Sequence, residues 1–237
     1  MKTSEHNDRA FLHVYLISDF SRHQTTRVTE QVEKALQGGV RALQLREKNL
    51  GPKELLAQAL EIKPIIKKYD AKLFINDRAD IAKIAGADGV HLTETSVPAG
   101  EIKDNFRNLM VGVSPHTKEG ALLAEAEGAD FITFSPIYET PSKIHFGPPQ
   151  GTQRLGEIVK SVHLPVLALG GIKLNRVPEV LEQGAHGVAV ISGIWDSKDI
   201  KQQAFEYMHH FGGVTSRQHL TVMETETETD MALQMKK

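Results

Sequence analysis

The segment ALQLREKNLGPKELLAQALEIKPIIKKYDAKLFIN (Ala42–Asn76) holds two short apolar runs separated by one long amphipathic stretch. The runs ALQLR (Ala42–Arg46) and KLFIN (Lys72–Asn76) suit strands that are buried on both faces of a parallel sheet. The stretch Pro52–Lys68 between them has the apolar spacing of an amphipathic helix. We therefore expect a strand–helix–strand unit in this part of the chain.

The same alternation continues through most of the sequence and gives eight strand–helix units. The other apolar runs are Val14–Ser18, Gly89–Thr93, Leu109–Val113, Phe131–Ser135, Pro165–Leu169 and Gly187–Ile191. Further helical patterns lie at Thr26–Gln37, Lys118–Glu127, Asn175–Gln183 and Lys198–His210. Such units in about 200 residues predict an α/β fold of the closed (β/α)₈ TIM barrel type. The competing open, doubly wound sheet lacks its G-x-G-x-x-G fingerprint after the first strand.

Composition excludes several classes of protein. The 237 residues carry 28 Lys and Arg against 30 Asp and Glu, and this balance argues against a protein that mainly binds nucleic acid. The absence of cysteine excludes disulfides, a thiol nucleophile and a cysteine zinc site. No apolar run reaches the roughly 18 residues of a membrane span, and the N-terminus lacks the apolar core of a signal peptide. We expect a soluble cytoplasmic protein with no membrane or nucleic-acid partner.

The C-terminal segment differs from the rest of the chain. It contains TVMETETETD (Thr221–Asp230), a repetitive Thr and Glu tract with little apolar surface to bury. We therefore expect one barrel domain over residues 1–212 and a disordered acidic tail without a catalytic role over residues 213–237.

Charged residues follow the second and third runs, where a barrel carries its functional groups. Because side chains alternate along a strand, Gln44, Arg46 and Lys48 are expected on one face and Glu47 on the other. Buried cations need an anionic partner, so these side chains either pair with a nearby carboxylate or meet an anionic ligand. Asp77 follows the third run, and either caps the next helix or binds a hard cation such as Mg²⁺.

Two features after the fifth and sixth runs suit a functional site. His116 closes the stretch Gly112–His116, and an imidazole at a strand end can shuttle protons, although most loop histidines have no such role. The long loop Tyr138–Gly151 carries hydroxyls, a lysine and glycines, and suits a lid over a phosphate.

Glycine-rich turns end the seventh and eighth runs. They are Gly170-Gly171 and Ser192-Gly193. Barrels often bind phosphate with the loops after these two strands, through backbone N–H groups that glycine leaves accessible. This pairing predicts a phosphorylated substrate.

Taken together and in order, these motifs resemble the thiamine phosphate synthase / thiazole tautomerase (TenI-like) superfamily. The motifs are QLREK at Gln44–Lys48, NDR at Asn76–Arg78, DGVHL at Asp88–Leu92, GVSPH at Gly112–His116, YETPSK at Tyr138–Lys143, GG at Gly170–Gly171 and GVAVISGI at Gly187–Ile194. The resemblance covers residues 14–197, excludes the tail, and implies a (β/α)₈ barrel.

The resemblance also implies the positions of substrate-binding residues. It places Gln44, Arg46 and Lys48 at a pyrimidine diphosphate site, Thr140, Ser142 and Lys143 on an anion-binding loop, and Gly171, Ile191 and Ser192 around the phosphate of a thiazole phosphate. Asn76 is expected to bind substrate as well.

Two departures from the synthase pattern favour the tautomerase branch. Synthases carry a second metal-binding Asp after the fourth strand, where this chain has Ser96, and two adjacent lysines where it has Lys143 followed by Ile144. The resemblance then implies an isomerase that aromatises a carboxythiazole phosphate by proton transfer. His116 would be its acid and base, assisted by Ser114, and no cofactor would be needed.

Two alternatives remain open on the sequence. The first is a transferase, thiamine phosphate synthase, which joins hydroxymethylpyrimidine diphosphate to thiazole phosphate and would use Asp77 with Mg²⁺. The second is a non-catalytic regulator that binds a thiazole or thiamine phosphate. In each case the expected partner is a small phosphorylated thiazole, and a homo-oligomer is left open.

Overall fold

The computed structural model describes residues 7–20, 27–140 and 148–212, in which eight parallel strands close into a barrel in sequence order. The strands are β1 (Val14–Ile17), β2 (Ala42–Leu45), β3 (Lys72–Asn76), β4 (Gly89–Thr93), β5 (Met110–Ser114), β6 (Phe131–Phe134), β7 (Val166–Leu169) and β8 (Gly187–Val190). Strand β1 pairs with β2 on one side and with β8 on the other, which closes the sheet. The prediction of a (β/α)₈ TIM barrel is confirmed.

Helices return the chain between successive strands. They are α1 (Val28–Gln37), α2 (Pro52–Lys68), α3 (Ala79–Ala85), α4 (Ala99–Asn105), α5 (Lys118–Ala126), α6 (Gly151–Ser161), α7 (Val177–Glu182), α8 (Ser192–Trp195) and α9 (Ile200–His209). Short 3₁₀ turns cover Asn7–Leu12 and Leu174–Arg176. Helix α2 begins with Pro52 in its first turn, where the missing N–H costs no hydrogen bond.

Strand alternation divides the core into two layers. In β1, Tyr15 and Ile17 point into the barrel, whereas Val14 and Leu16 pack between the sheet and the helices. The inner layer contains the aromatic rings of Tyr15, Phe74 and Phe131, whose centroids lie 5.2–5.4 Å apart in edge-to-face contacts. These rings fill the middle of the barrel interior. Barrels of this type bind ligands at the C-terminal ends of the strands, which we call the barrel mouth.

The inner face becomes polar toward the mouth. Asn76 follows Phe74 on the same side of β3, and Thr133 follows Phe131 on the same side of β6. Gln44, His91 and Thr133 are almost completely buried, with 2%, 2% and 0% of their surface exposed. Buried polar side chains need partners, and their hydrogen bonds define the candidate site described below.

Two expectations concern other parts of the chain. Within the described residues, no helix combines the length and the apolar character needed to cross a membrane. The predicted acidic tail, residues 213–237, lies outside the described residues.

Candidate active site at the barrel mouth

The ends of β2 and β3 are joined at the mouth by a side-chain hydrogen bond. The Gln44 amide nitrogen donates to the Asn76 side-chain oxygen over 3.1 Å. Within the described residues, neither Arg46 nor Lys48 forms an ion pair with a carboxylate. The interpretation of Arg46 and Lys48 as partners of a strand-end carboxylate therefore finds no support among these residues.

A buried carboxylate fixes the loop after β2. Glu47 is 6% exposed, and its Oε1 accepts hydrogen bonds from the Ser18 hydroxyl at 2.5 Å and from the Phe20 backbone N–H at 3.0 Å. The Ser18 oxygen in turn accepts from the Arg46 backbone N–H at 2.8 Å. This arrangement positions Arg46 through its own main chain. Strand alternation predicts that Glu47 points away from Arg46, but the sequence carries no signal for its partner Ser18, which directly follows β1.

Four side chains from β1, β4, β5 and β6 form a connected chain inside the barrel. The Tyr15 hydroxyl lies 3.2 Å from His91 Nδ1, and His91 Nε2 lies 2.8 Å from the Ser114 hydroxyl. The Ser114 oxygen is 2.7 Å from the Thr133 hydroxyl. Burial, helped by the charge of Arg46, lowers the pKa of His91 to about 3, so this imidazole is neutral at physiological pH.

The predicted acid–base residue, His116, is held by its own surroundings. Its Nδ1 donates to the Ser135 carbonyl at 2.9 Å, and its backbone N–H donates to Glu94 Oε1 at 2.6 Å. Ser135 follows Thr133 on the inner side of β6, is 1% exposed, and its hydroxyl has no hydrogen-bond partner among the described residues. A polar group of a ligand at the mouth would satisfy this hydroxyl.

Asp77 stands at the end of β3 in a backbone conformation that is uncommon for residues other than glycine. Its φ is 62°, and its N–H donates to the His91 carbonyl at 2.9 Å. Helix α3 is capped by Arg78 without a side-chain hydrogen bond, so the N-cap interpretation of Asp77 is wrong. Its carboxylate is exposed at the mouth, beside the Gln44–Asn76 pair.

The residues around Asp77 fit Mg²⁺ only with help from a substrate. Described residues hold no group of three or more His, Cys, Asp or Glu side chains that could bind a metal. The Ser96 hydroxyl is occupied by the Thr93 N–H at 2.8 Å and the Thr93 hydroxyl at 2.9 Å. Because Mg²⁺ is commonly held by one or two carboxylates together with substrate phosphates, Asp77 and a diphosphate make an adequate ligand set.

The turn after β7 consists of two glycines, whose main chain neighbouring groups approach closely. Gly170 and Gly171 have φ values of 98° and 68°, and a Cβ on Gly171 would lie 2.8 Å from the Cβ of Tyr138. Arg176 donates to the Gly171 carbonyl at 2.9 Å and stacks its guanidinium over the Tyr138 ring at 4.2 Å. These contacts fix the Gly171 turn against the segment that follows β6.

The remaining predicted residues flank this turn. Ile191 directly precedes α8, and Ser192 is its exposed first residue. Thr140 is half-buried at the end of the segment that follows β6. Ser142 and Lys143 lie outside the described residues. The structure thus brings Gln44, Asn76, Asp77, Ser114 and Gly171 to the mouth of one barrel.

Comparison with known proteins identifies relatives along most of the chain. The family model described as thiamine monophosphate synthase matches residues 14–194. A Geobacter sulfurreducens protein with the provisional name of thiamine-phosphate synthase is 47% identical over 81% of this chain and 90% of its own length. Thiamine-phosphate synthase from Halalkalibacterium halodurans is 36% identical over 79% of this chain and 90% of its own.

A solved structure agrees with these sequence relatives. Thiamine phosphate pyrophosphorylase from Pyrococcus furiosus superposes with a TM-score of 0.78 at 33% identity, covering 86% of this chain and 98% of that one. The expectation of a tautomerase, an isomerase, is therefore wrong, because these relatives carry the name of a transferase. It rested on Ser96 as a lost metal ligand, but one carboxylate and a diphosphate suffice to hold Mg²⁺.

Proposed function

Because the chain belongs to the thiamine monophosphate synthase family, we propose that it is a thiamine-phosphate synthase. The reaction joins hydroxymethylpyrimidine diphosphate to a thiazole phosphate. The bond from the pyrimidine methylene carbon to the diphosphate oxygen breaks, and its electron pair leaves with the diphosphate. The thiazole nitrogen then supplies the pair that forms the new carbon–nitrogen bond.

The observation that carries this proposal is that two separate groups of residues whose chemistry suits anions lie at one mouth. Arg46, Lys48 and Asp77 follow β2 and β3, whereas the Gly171 turn and Ser192 follow β7 and β8. A reaction between two phosphorylated substrates needs both regions. The first suits a diphosphate, since it offers two cationic side chains and one metal-binding carboxylate.

The diphosphate region would act on the leaving group. Asp77 would hold Mg²⁺ together with the diphosphate, and the bound cation would supply positive charge to the leaving group. Arg46 is positioned for the same task by the buried Ser18–Glu47 pair. The Gln44–Asn76 pair, beside Asp77, offers amide donors and acceptors to the pyrimidine ring.

The thiazole phosphate would bind at the other region. The left-handed Gly171 turn lets backbone N–H groups approach phosphate oxygens without a side chain in the way. Ile191 and Ser192 follow the adjacent strand, and Thr140, Ser142 and Lys143 belong to the loop that would cover the anion. Binding energy from this remote phosphate then orients the thiazole nitrogen toward the pyrimidine carbon.

The condensation needs no proton transfer at the reacting carbon or nitrogen. The acid–base role expected of His116 is therefore withdrawn together with the isomerase. His116 keeps a local role, since it links the loop after β5 to the Ser135 carbonyl. The cytoplasmic location stays a prediction, and the oligomeric state stays open.

The test is an assay with purified protein, both substrates, and Mg²⁺ or EDTA. We expect thiamine phosphate and diphosphate in equal amounts with Mg²⁺, and loss of both products with EDTA. Asp77→Asn should lower kcat by about 10²-fold or more, as removal of a charged ligand at a leaving group commonly does. The matched control is Asp80→Asn, because Asp80 is exposed and pairs only with Arg78 among the described residues.

Two outcomes would count against the proposal. Binding of both substrates without turnover would identify the non-catalytic regulator instead. Equal losses in the Asp77 and Asp80 variants would show that the effect is a general one on α3 rather than on the leaving group.

A further inference from the structure

We propose that Tyr15 and His91 are positioning residues that fix the Ser114 hydroxyl as a hydrogen-bond donor toward the pyrimidine diphosphate. This inference rests on the proposed synthase function. It assigns a role to the hydrogen-bonded side chains of Tyr15, His91, Ser114 and Thr133, which belong to neither of the two phosphate regions.

The first step is the Tyr15 hydroxyl. Tyr15 is 0% exposed, and burial raises the pKa of its phenol, so the hydroxyl keeps its proton. The acceptor available to that proton among the described residues is His91 Nδ1 at 3.2 Å. If the imidazole donated instead, a phenol proton would be left unsatisfied inside the barrel, at a cost in free energy. Tyr15 therefore donates, and Nδ1 carries no hydrogen.

The second step is the imidazole. His91 is 2% exposed, and because its Nδ1 accepts the phenol hydrogen, its own ring hydrogen is on Nε2. Nε2 lies 2.8 Å from the Ser114 oxygen and therefore donates to it.

The third step is the pair of hydroxyls. Thr133 is 0% exposed and lies 2.7 Å from the Ser114 oxygen and 3.4 Å from His91 Nε2. Since Nε2 already carries a hydrogen, the Thr133 proton goes to Ser114. The Ser114 oxygen then accepts two hydrogen bonds, and its two lone pairs are filled. Its own proton is left to point elsewhere.

The fourth step is the ligand. Ser114 is half-buried at the end of β5, whereas the other three members of the chain are buried, so its free proton faces the mouth. His91 pairs in register with Asn76 of the adjacent β3, and its carbonyl accepts the Asp77 N–H. This contact puts Ser114 on the pyrimidine diphosphate side, where an acceptor atom of the ring or of the diphosphate would take the hydrogen bond.

The kinetic test is a double-mutant cycle between Tyr15 and Ser114 in the full-length protein. Tyr15→Phe removes the hydroxyl and keeps the ring that packs against Phe74 and Phe131. It should lower kcat/KM for the pyrimidine diphosphate about 5-fold, the size of one misdirected hydrogen bond, and leave KM for the thiazole phosphate within about twofold. In a Ser114→Ala background, Tyr15→Phe should have no further effect.

Tyr69→Phe is the matched control, since the Tyr69 hydroxyl donates to Glu33 on the helical layer and should leave kinetics unchanged. A Tyr15→Phe loss of the same size with and without the Ser114 hydroxyl would overturn the proposal. Such a result would mean that Tyr15 acts on the fold and not through Ser114.

A second measurement does not depend on activity. Nitrogen-15 NMR of the imidazoles in the protein without substrate should show hydrogen on His91 Nε2 and none on His91 Nδ1. Hydrogen on Nδ1 would overturn the proposal even if the synthase activity is confirmed. The expected tautomer without synthase activity would instead reject the proposed function and leave the geometry of the chain standing.

Discussion

Replacement of Gly171 by alanine tests whether the turn after β7 binds the thiazole phosphate. The residue has a φ of 68°, which costs an alanine about 1 kcal/mol or slightly more. The new Cβ would also lie 2.8 Å from the Tyr138 Cβ and 3.1 Å from the Glu139 carbonyl oxygen. Overpacking of this kind adds about 1–3 kcal/mol.

Gly86 offers a matched control for the backbone contribution. Its φ is 64°, and a Cβ there meets nothing within 4 Å. It ends α3, on the side of the barrel away from the mouth. Gly86→Ala should therefore lower stability by about 1 kcal/mol and the Tm by about 2–4 °C, whereas Gly171→Ala should lower stability by about 2–4 kcal/mol.

The assay compares the two variants with the wild type at saturating pyrimidine diphosphate. The Gly171 backbone must move to relieve the contact with Tyr138, and this movement should weaken phosphate binding. A loss of about 1.4 kcal/mol in binding free energy raises KM for the thiazole phosphate about 10-fold. Gly86→Ala should leave this KM unchanged. A normal KM in a folded Gly171→Ala protein would refute the assignment of the phosphate to this turn.

Three further predictions concern stability. His91 has a pKa of about 3 in the folded protein against 6.5 unfolded, so the stability it contributes is complete above pH 6.5 and is lost as the pH falls toward 3. Between pH 7 and pH 4, the free energy of unfolding measured in urea should therefore fall by about 3 kcal/mol less in His91→Gln than in the wild type. Ser18→Ala leaves Glu47 and the Arg46 N–H each short of one buried partner, and should cost about 1–3 kcal/mol by the same measurement. Gly112→Ala would place a Cβ 2.4 Å from the Phe131 ring and 2.6 Å from His91 Nδ1, and should cost about 3 kcal/mol by overpacking. Values within about 0.5 kcal/mol of the wild type, as for surface substitutions, would contradict either of the last two.

The barrel was predictable because each strand is buried on both faces and therefore appears as a continuous apolar run. The runs Lys72–Asn76 and Gly89–Thr93 match β3 and β4 residue for residue. The run Leu109–Val113 is displaced by one residue from β5, because Ser114 continues the pairing although it is polar. The predicted helix Asn175–Gln183 divides into a 3₁₀ turn and α7, with Pro178 in the first helical turn.

The site was predictable only in part. Alternation and strand-end position select single residues such as Gln44 and Asp77, and both lie at the mouth. They do not reveal partners, since Ser18 and Glu47 are 29 positions apart and Tyr15 and His91 are 76 apart.

The prediction of a tautomerase reaction is wrong for a related reason. The sequence predicts that Ser96 replaces a metal-binding carboxylate, but a metal held partly by its substrate needs fewer ligands from the protein, and their number cannot be counted from the sequence alone.

The most direct measurement of the central claim follows product formation from hydroxymethylpyrimidine diphosphate and thiazole phosphate in the presence of Mg²⁺. Thiamine phosphate and diphosphate should appear in equal amounts, at a rate that Asp77→Asn reduces and Asp80→Asn does not. If neither product forms while both substrates bind, the protein is not a synthase.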